Sequence, residues 1–167
     1  GCDGPGAGAT LIGGSCGGQG SQDSWIWKFN PSGDLRWSKN FGANGHDKLR
    51  SLAASGGFVY GTGYQKGSGG DWDTGEGTIT LDGSNYNTYT IKLNSSGVTQ
   101  WVFALGGSGT SSIPSVEAVA VDGSGNVFSL GLFRGTADLD SGSGTANHSS
   151  TVAGKDTACL TNHNSSG

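Results

Sequence analysis

The residues best suited to chemistry in this sequence are two pairs of aspartates in a phrase that occurs twice. Asp71 and Asp73 stand in "DWDTGEGT", and Asp138 and Asp140 stand in "DLDSGSGT". Carboxylates two positions apart, followed by flexible glycines, can direct oxygen atoms at one hard cation. The spacing therefore predicts that any Ca²⁺ ion bound by this chain occupies both pairs.

The same phrase also fits a turn that a repeated architecture needs. A calcium loop normally carries a third acidic ligand about two positions further on, where this sequence has Gly75 and Gly142, and Glu76 occurs in one copy alone. In a turn, the aspartates accept backbone hydrogen bonds and the glycines adopt positive φ angles. Trp72 and Leu139 then become core residues. We favour the turn and keep calcium as the alternative.

Other reactive side chains form no recognisable catalytic group. Gly13–Gly17 reads "GGSCG", which matches a nucleophile elbow, but only glycine, serine and glutamine follow where a helix should begin. The three histidines fall in predicted turns without a fixed Ser or Cys partner, and we expect them in solvent: His46, His148 and His163. The sequence therefore predicts no enzyme, although an active site could lie in repeats that are absent from it.

Cysteine content and charge narrow the possible partners. Cys2, Cys16 and Cys159 include no C-x-x-C pair, which argues against zinc. Cys2 and Cys16 could form a disulfide in an oxidising compartment, or they are unpaired small residues.

The net charge of −4 gives no basic patch for nucleic acid. No apolar run approaches the roughly 18 residues of a membrane span. The lack of methionine suggests a processed or partial chain.

An internal repeat positions these candidates, and its first half is a hairpin. The segment "DSWIWKFNPSGDLRW" (23–37) matches "NTYTIKLNSSGVTQW" (87–101). Large apolar residues alternate in each copy, which predicts a half-buried strand, and a glycine-containing turn follows. The side chains expected to be buried between sheets are Trp25, Trp27, Trp37, Tyr89 and Trp101. The tryptophans among them could alternatively stack on sugars.

The second half of the repeat is another hairpin. The segment "FVYGTGY" (58–64) matches "NVFSLGL" (126–132), and no segment shows helical periodicity with caps. The predicted strands lie near 23–30, 34–41, 49–55, 58–64, 87–94, 98–105, 115–122 and 126–133, and we expect them to form two four-stranded antiparallel sheets. We expect four segments: a Gly-rich tail of a preceding repeat (1–22), unit 1 (23–86), unit 2 (87–155) and the first strand of a third unit (156–167). In that strand, Ala158 and Leu160 are placed where Trp25 and Trp27 stand.

Four strands per unit of about 65 residues is typical of a propeller blade. The motifs at Asn87–Trp101, Gly125–Gly131 and Gly135–Gly142 resemble the bacterial β-propeller repeat of the SBBP type. This resemblance implies an all-β fold of tandem four-stranded antiparallel propeller-like blades. It also implies a secreted or cell-surface location and, for most members, no assigned chemistry.

These features favour a non-catalytic extracellular structural or scaffold repeat protein, such as a surface adhesin or a filament subunit. Its expected partners are copies of itself or further repeats of the same polypeptide, because the last strand lacks a partner strand of its own unit. The alternative is a carbohydrate-binding propeller segment, calcium-assisted, that binds glycans. Three sites match the N-glycosylation pattern, which arises often by chance in a serine-rich chain: Asn94, Asn147 and Asn164.

Overall fold

The computed structural model describes residues 23–81, 86–106 and 112–167, in which every regular element is a β-strand. The strands are β1 Ser24–Phe29, β2 Leu35–Phe41, β3 Lys48–Ser55, β4 Phe58–Gln65, β5 Asn87–Leu93, β6 Thr99–Leu105, β7 Ser112–Val121, β8 Val127–Arg134, β9 Thr136–Asp138, β10 Asn147–Ser149 and β11 Thr157–His163. The first eight correspond to the eight strands expected from the sequence. The described part of the chain is therefore all-β, as predicted, and it has no helix that could cross a bilayer.

Three sheets carry most of the structure. Sheet A holds β1 and β2, sheet B holds β3, β4, β5 and β6 in that order, and sheet C holds β7, β8 and β11 with β8 in the centre. The strands β9 and β10 form a small separate pair. All neighbouring strands are antiparallel. The described residues show no closed propeller.

The sheets do not coincide with the repeat units read from the sequence. Sheet B joins the second hairpin of unit 1 to the first hairpin of unit 2, because β4 pairs with β5 from Val59–Leu93 to Gln65–Asn87. The hydroxyl of Thr62 also donates to the Tyr89 carbonyl at 2.8 Å. The expectation of two four-stranded sheets, one in each unit, is therefore wrong. A hairpin is specified locally, whereas the choice of neighbouring hairpin depends on contacts far apart in sequence.

The alignment of the last strand was wrong by one residue. In β11, Cys159 lies opposite Gly131, just as Tyr89 of β5 lies opposite Gly63. A one-residue slip exchanges the two faces of a strand. The faces of β11 are therefore the reverse of those expected, and Leu160 is 67% exposed.

The strand β11 also has a pairing partner within the chain. All seven residues of β11 pair with β8, so the backbone on one side of the strand is satisfied within the chain. The partner strand of its own unit would lie on the other side of β11, so further copies or further repeats as its source stay a prediction.

The core lies between the sheets. One cluster joins Ile26 and Phe41 of sheet A to Tyr89, Ile91 and Leu93 of sheet B, with Trp72 among them. Two further clusters join sheet B to residues of sheet C and of the segment that follows it, and they contain Tyr60, Phe103, Leu105, Val119, Val127, Phe133 and Ala137. The three sheets thus pack in the order A, B, C, and sheet B is covered on both faces.

Candidate functional site

The two Asp-x-Asp phrases form equivalent turns. Asp71 bridges to Gly42 and Asp138 bridges to Gly106, in each case at the end of a hairpin. The Oδ1 atom of Asp71 accepts the N–H groups of Asp73 and Ile79 at 2.8 and 3.2 Å.

The second turn repeats this arrangement. The Oδ1 atom of Asp138 accepts the N–H groups of Asp140 and Ala146 at 3.1 and 2.8 Å. These hydrogen bonds hold the pKa of Asp138 below its usual range, with the bond from Ala146 the larger cause. In both turns the first carboxylate is used to fix the backbone.

The second aspartate of each pair has the same use. Asp73 Oδ1 accepts the Gly75 N–H and Asp140 Oδ1 accepts the Gly142 N–H, both at 2.7 Å. Within the ranges that the structure describes, no three His, Cys, Asp or Glu side chains gather as metal ligands. The hydrogen bonds fit the turn interpretation, but the expected positive φ angles are wrong for Gly75 and Gly142. The calcium site stays a prediction.

Each turn also ties one sheet to the next. Trp72 is fully buried in the core between sheets A and B, as expected, and Leu139 packs against the corresponding B–C core. Beside Trp72, the hydroxyl of Thr74 donates to the Gly97 carbonyl at 2.6 Å. The Asp-x-Asp turns thus contribute contacts between neighbouring sheets.

A second repeated contact forms the junction between sheets. The Lys28 ammonium and the Trp37 indole N–H both donate to the Ser95 carbonyl, at 2.9 and 3.0 Å. Gly97 of the same turn lies against the Trp37 ring, since a Cβ on it would be 2.9 Å from Cδ2. Sheet A therefore holds the β5–β6 turn of sheet B by two hydrogen bonds and one ring contact.

The junction between sheets B and C is built from the corresponding residues. The Lys92 ammonium and the Trp101 indole N–H donate to the Ser165 carbonyl at 2.8 and 3.3 Å. A Cβ on Gly167 would lie 3.2 Å from Cδ2 of Trp101. Trp37 and Trp101 are therefore equivalent, as predicted, although both are half-buried rather than largely buried.

The lysine of the B–C junction is the more enclosed of the two. The ammonium of Lys92 lies 4.3 Å from the ring centroid of Phe58, 5.6 Å from that of Tyr60 and 5.9 Å from that of Trp101. Its side chain is buried, so the aromatic faces replace part of the water that the charge has lost. This cation is therefore part of the junction between sheets B and C.

The aromatic side chains of β1 do not follow the burial expected for them. Tyr89, Ile91 and Leu93 of β5 are fully buried, but Trp27 is 39% exposed and Trp25 is half-buried. The rings of Trp25 and Trp27 stack with centroids 5.7 Å apart and planes 12° apart. The expectation of burial was wrong for this pair, because their face of sheet A points away from sheet B.

One histidine also departs from expectation. His46 and His148 are exposed, but His163 of β11 is buried, with its ring centroid 4.3 Å from that of Phe103. Its Nδ1 atom hydrogen-bonds to Ser141 Oγ at 3.2 Å, and its Nε2 atom is buried without a partner. Burial lowers the pKa of His163, which the nearby Asp140 charge partly offsets.

The buried carboxylate of Asp47 and the half-buried carboxylate of Asp23 form a cluster that the sequence did not reveal. Asp47 is 1% exposed and its Oδ2 atom accepts the Ala43 N–H at 2.7 Å. A Cβ on Gly42 would lie 2.8 Å from Asp47 Oδ2 and 3.3 Å from Asp23 Oδ1, so both carboxylates crowd one glycine. Burial raises the pKa of Asp47 to about 6, and it also raises the pKa of Asp23. No local pattern marks Asp47, because its burial depends on the turn that leads from β2 to β3.

The remaining sequence candidates are the cysteines, the Gly13–Gly17 motif and the asparagines of the N-glycosylation pattern. The pair Cys2 and Cys16 and the Gly13–Gly17 motif lie outside the described residues. Cys159 is a half-buried free thiol whose pKa is raised by burial. Asn94 and Asn164 fix turns, because their Oδ1 atoms accept the N–H groups two residues on.

In comparisons with known proteins, no family model and no curated protein matches this chain. The resemblance to SBBP-type repeats therefore rests on the quoted motifs.

Proposed function

We propose that this chain is a non-catalytic structural repeat of a secreted or cell-surface protein, in which sheets stack one after another as propeller-like blades. The extracellular location rests on the resemblance of its motifs to SBBP-type repeats. The stacking rests on the structure of the junctions.

The observation that carries the proposal is the junction that occurs twice. Lys28 and Trp37 hold the Ser95 carbonyl of the next sheet, and Lys92 and Trp101 hold that of Ser165. A contact that recurs with the same donor types and the same acceptor atom can continue through further repeats. In repeat proteins, such interfaces between neighbours supply much of the stability.

The chemistry-bearing side chains support the same proposal. The four paired aspartates accept backbone hydrogen bonds, and Lys92 is enclosed by rings and bound to a carbonyl. These groups are used to hold sheets in place. A closed propeller needs roughly four to eight blades, so in this proposal further repeats or further copies complete the architecture.

Adding repeats tests this function. We would compare the natural chain with a chain in which residues 87–155 are duplicated in tandem. Each added unit contributes one more junction, so the melting temperature should rise and the scattering profile should show a regular extension. As a matched control, the added unit would carry Lys92→Ala and Trp101→Ala. Equal melting temperatures for the natural chain and the duplicated chain would contradict the proposal.

A second candidate function is glycan binding, and the exposed aromatic row of β1 favours it. Trp25 and Trp27 present nearly parallel rings, and Phe29 beyond them is 57% exposed. Flat aromatic faces of this kind can stack on sugar rings. A glycan array with the natural chain and with Trp27→Ala tests this candidate. Binding that Trp27→Ala abolishes supports it, and an array without binding removes it.

A further inference from the structure

Exposed large apolar side chains occur on the outer faces of both sheet A and sheet C. The described residues include seven exposed large hydrophobic side chains. Two lie on sheet A, Trp27 at 39% and Phe29 at 57%, and two lie on sheet C, Leu130 at 43% and Leu160 at 67%. Isolated exposed hydrophobic residues are ordinary, but clustered ones on a sheet face indicate an interaction surface.

The outer face of sheet A carries the same kind of apolar residues as the face of sheet B that sheet A covers. Lys28 of β1 lies opposite Trp37 of β2, and Lys92 of β5 lies opposite Trp101 of β6. The strands β1 and β5 therefore occupy corresponding places in their sheets. In β5, the residues on the corresponding face are Tyr89, Ile91 and Leu93, which are fully buried under sheet A. In β1, that face carries Trp25, Trp27 and Phe29.

The outer face of sheet C is the matching surface. In sheet B, the face with Thr90 packs on sheet C, where Thr90 and Ser129 hydroxyls lie 3.3 Å apart. The corresponding face of sheet C carries Leu130 and Leu160, which lie directly opposite each other on β8 and β11. Ala158 and Asn162 continue this face along β11. None of these four residues is charged, so the leucines can pack against aromatic rings without desolvating an ion. The exposed Arg134–Asp156 ion pair lies at the end of the same face.

We propose that a second copy of this chain docks the outer face of its sheet C on the outer face of sheet A, head to tail. The contact continues the order A, B, C into the next molecule and places leucines against Trp27 and Phe29. This inference rests on the proposed stacking function and identifies the partner as another copy. Because the two faces differ, the contact is heterologous and gives a ring or a filament.

Sedimentation velocity over a range of protein concentrations, with variants at each end, tests the proposal. Phe29→Asp places a charge on sheet A, and Leu160→Asp places one on sheet C. Both side chains are exposed, so the fold should survive, and Trp27→Asp and Leu130→Asp provide a second variant for each face. Leu52→Asp is the matched control, because Leu52 is 50% exposed but lies on β3 in the middle sheet.

We expect the average mass of the natural chain and of Leu52→Asp to rise with concentration. Phe29→Asp and Leu160→Asp should each stay monomeric alone. An equimolar mixture of the two should form a heterodimer and nothing larger, because each contributes the one intact face that the other lacks.

Three results would overturn the proposal. The natural chain could remain monomeric throughout, one of the two variants could still dimerise alone through like faces, or the mixture could fail to associate. These results leave the repeat-duplication test of the stacking function unaffected, because its junctions are covalently linked. A duplicated chain that gains stability and still does not self-associate would retain the stacking function and remove the second copy as its partner.

Discussion

Strands β1 and β5 occupy the same place in two successive sheets, yet their side chains have opposite environments. Ile91 of β5 is fully buried, and Trp27, at the corresponding position of β1, is 39% exposed. Both strands show the same alternation and end in the same kind of turn. The difference lies in what covers them, because sheet A packs on β5, whereas no sheet among the described residues packs on the outer face of β1. The repeat therefore specifies a strand and a turn, and the neighbouring sheet decides whether the apolar face is buried.

The largest expected effect tests this difference directly. Ile91→Ala should reduce the free energy of unfolding by about 2–5 kcal/mol, because it leaves a cavity between two sheets. Trp27→Ala should cost less than about 1 kcal/mol in the monomer, since its ring already contacts water. Urea unfolding at low protein concentration measures both. Equal losses at the two positions would mean that their environments are alike.

The two junction tryptophans should behave alike. Trp37→Ala and Trp101→Ala should each cost about 2–4 kcal/mol, because each change removes a half-buried ring and one hydrogen bond to a turn carbonyl. Trp37→Phe and Trp101→Phe keep most of the ring contact and should recover more than half of the loss. Thermal unfolding of the four variants provides the measurement. A cost for one tryptophan several times that for the other would contradict the equivalence of the junctions.

Asp47 should make stability depend on pH in a way that a surface carboxylate does not. Its folded-state pKa of about 6 lies above the ordinary value of 3.8, so the folded state binds more protons between these values. The contribution of Asp47 is therefore full below about pH 4 and is lost as the pH rises through about 6. Asp47→Asn stays uncharged and keeps an acceptor for the Ala43 N–H.

We expect Asp47→Asn to raise the melting temperature at pH 7 by about 2–4 °C and to bring little gain at pH 4. Asp34→Asn, at an exposed turn position, is the control. A gain that is the same at both pH values would show that the charge of Asp47 is not its cause.

The smallest expected effect concerns calcium at the two Asp-x-Asp turns. If these aspartates act as turn residues, millimolar Ca²⁺ should shift the melting temperature by less than about 1 °C. A larger rise that Asp73→Asn and Asp140→Asn each reduce would instead support the calcium prediction, and would place ions at both turns.

The sequence predicted local features well and non-local ones less well. The eight strands, the burial of Trp72 and the equivalence of Trp37 and Trp101 follow from alternation, turn residues and repetition, which are local properties. The joining of β4 to β5 and the outward face of Trp27 depend on which sheet lies next to which. Alternation cannot supply that information.

The candidate site likewise contains features that the sequence could predict and features that it could not. The backbone hydrogen bonds of the Asp-x-Asp turns could be expected from the spacing of Asp and Gly. The burial of His163 could not, because the alignment one residue out of register placed it in the turn, whereas it is the last residue of β11. The junction acceptors, Ser95 and Ser165, are backbone carbonyls, so no side-chain pattern marks them.

The central claim is that one junction is built twice, and the α-proton resonances of two glycines test it most directly. Gly97 lies against the ring of Trp37 and Gly167 against that of Trp101, so the NMR spectrum should show the α-protons of both shifted upfield by the ring currents. Trp37→Ala should return Gly97 alone to its ordinary position, and Trp101→Ala should return Gly167 alone. If neither glycine is shifted in the natural chain, or if removal of its tryptophan leaves the shift unchanged, the sheets do not meet through this junction and the account is wrong.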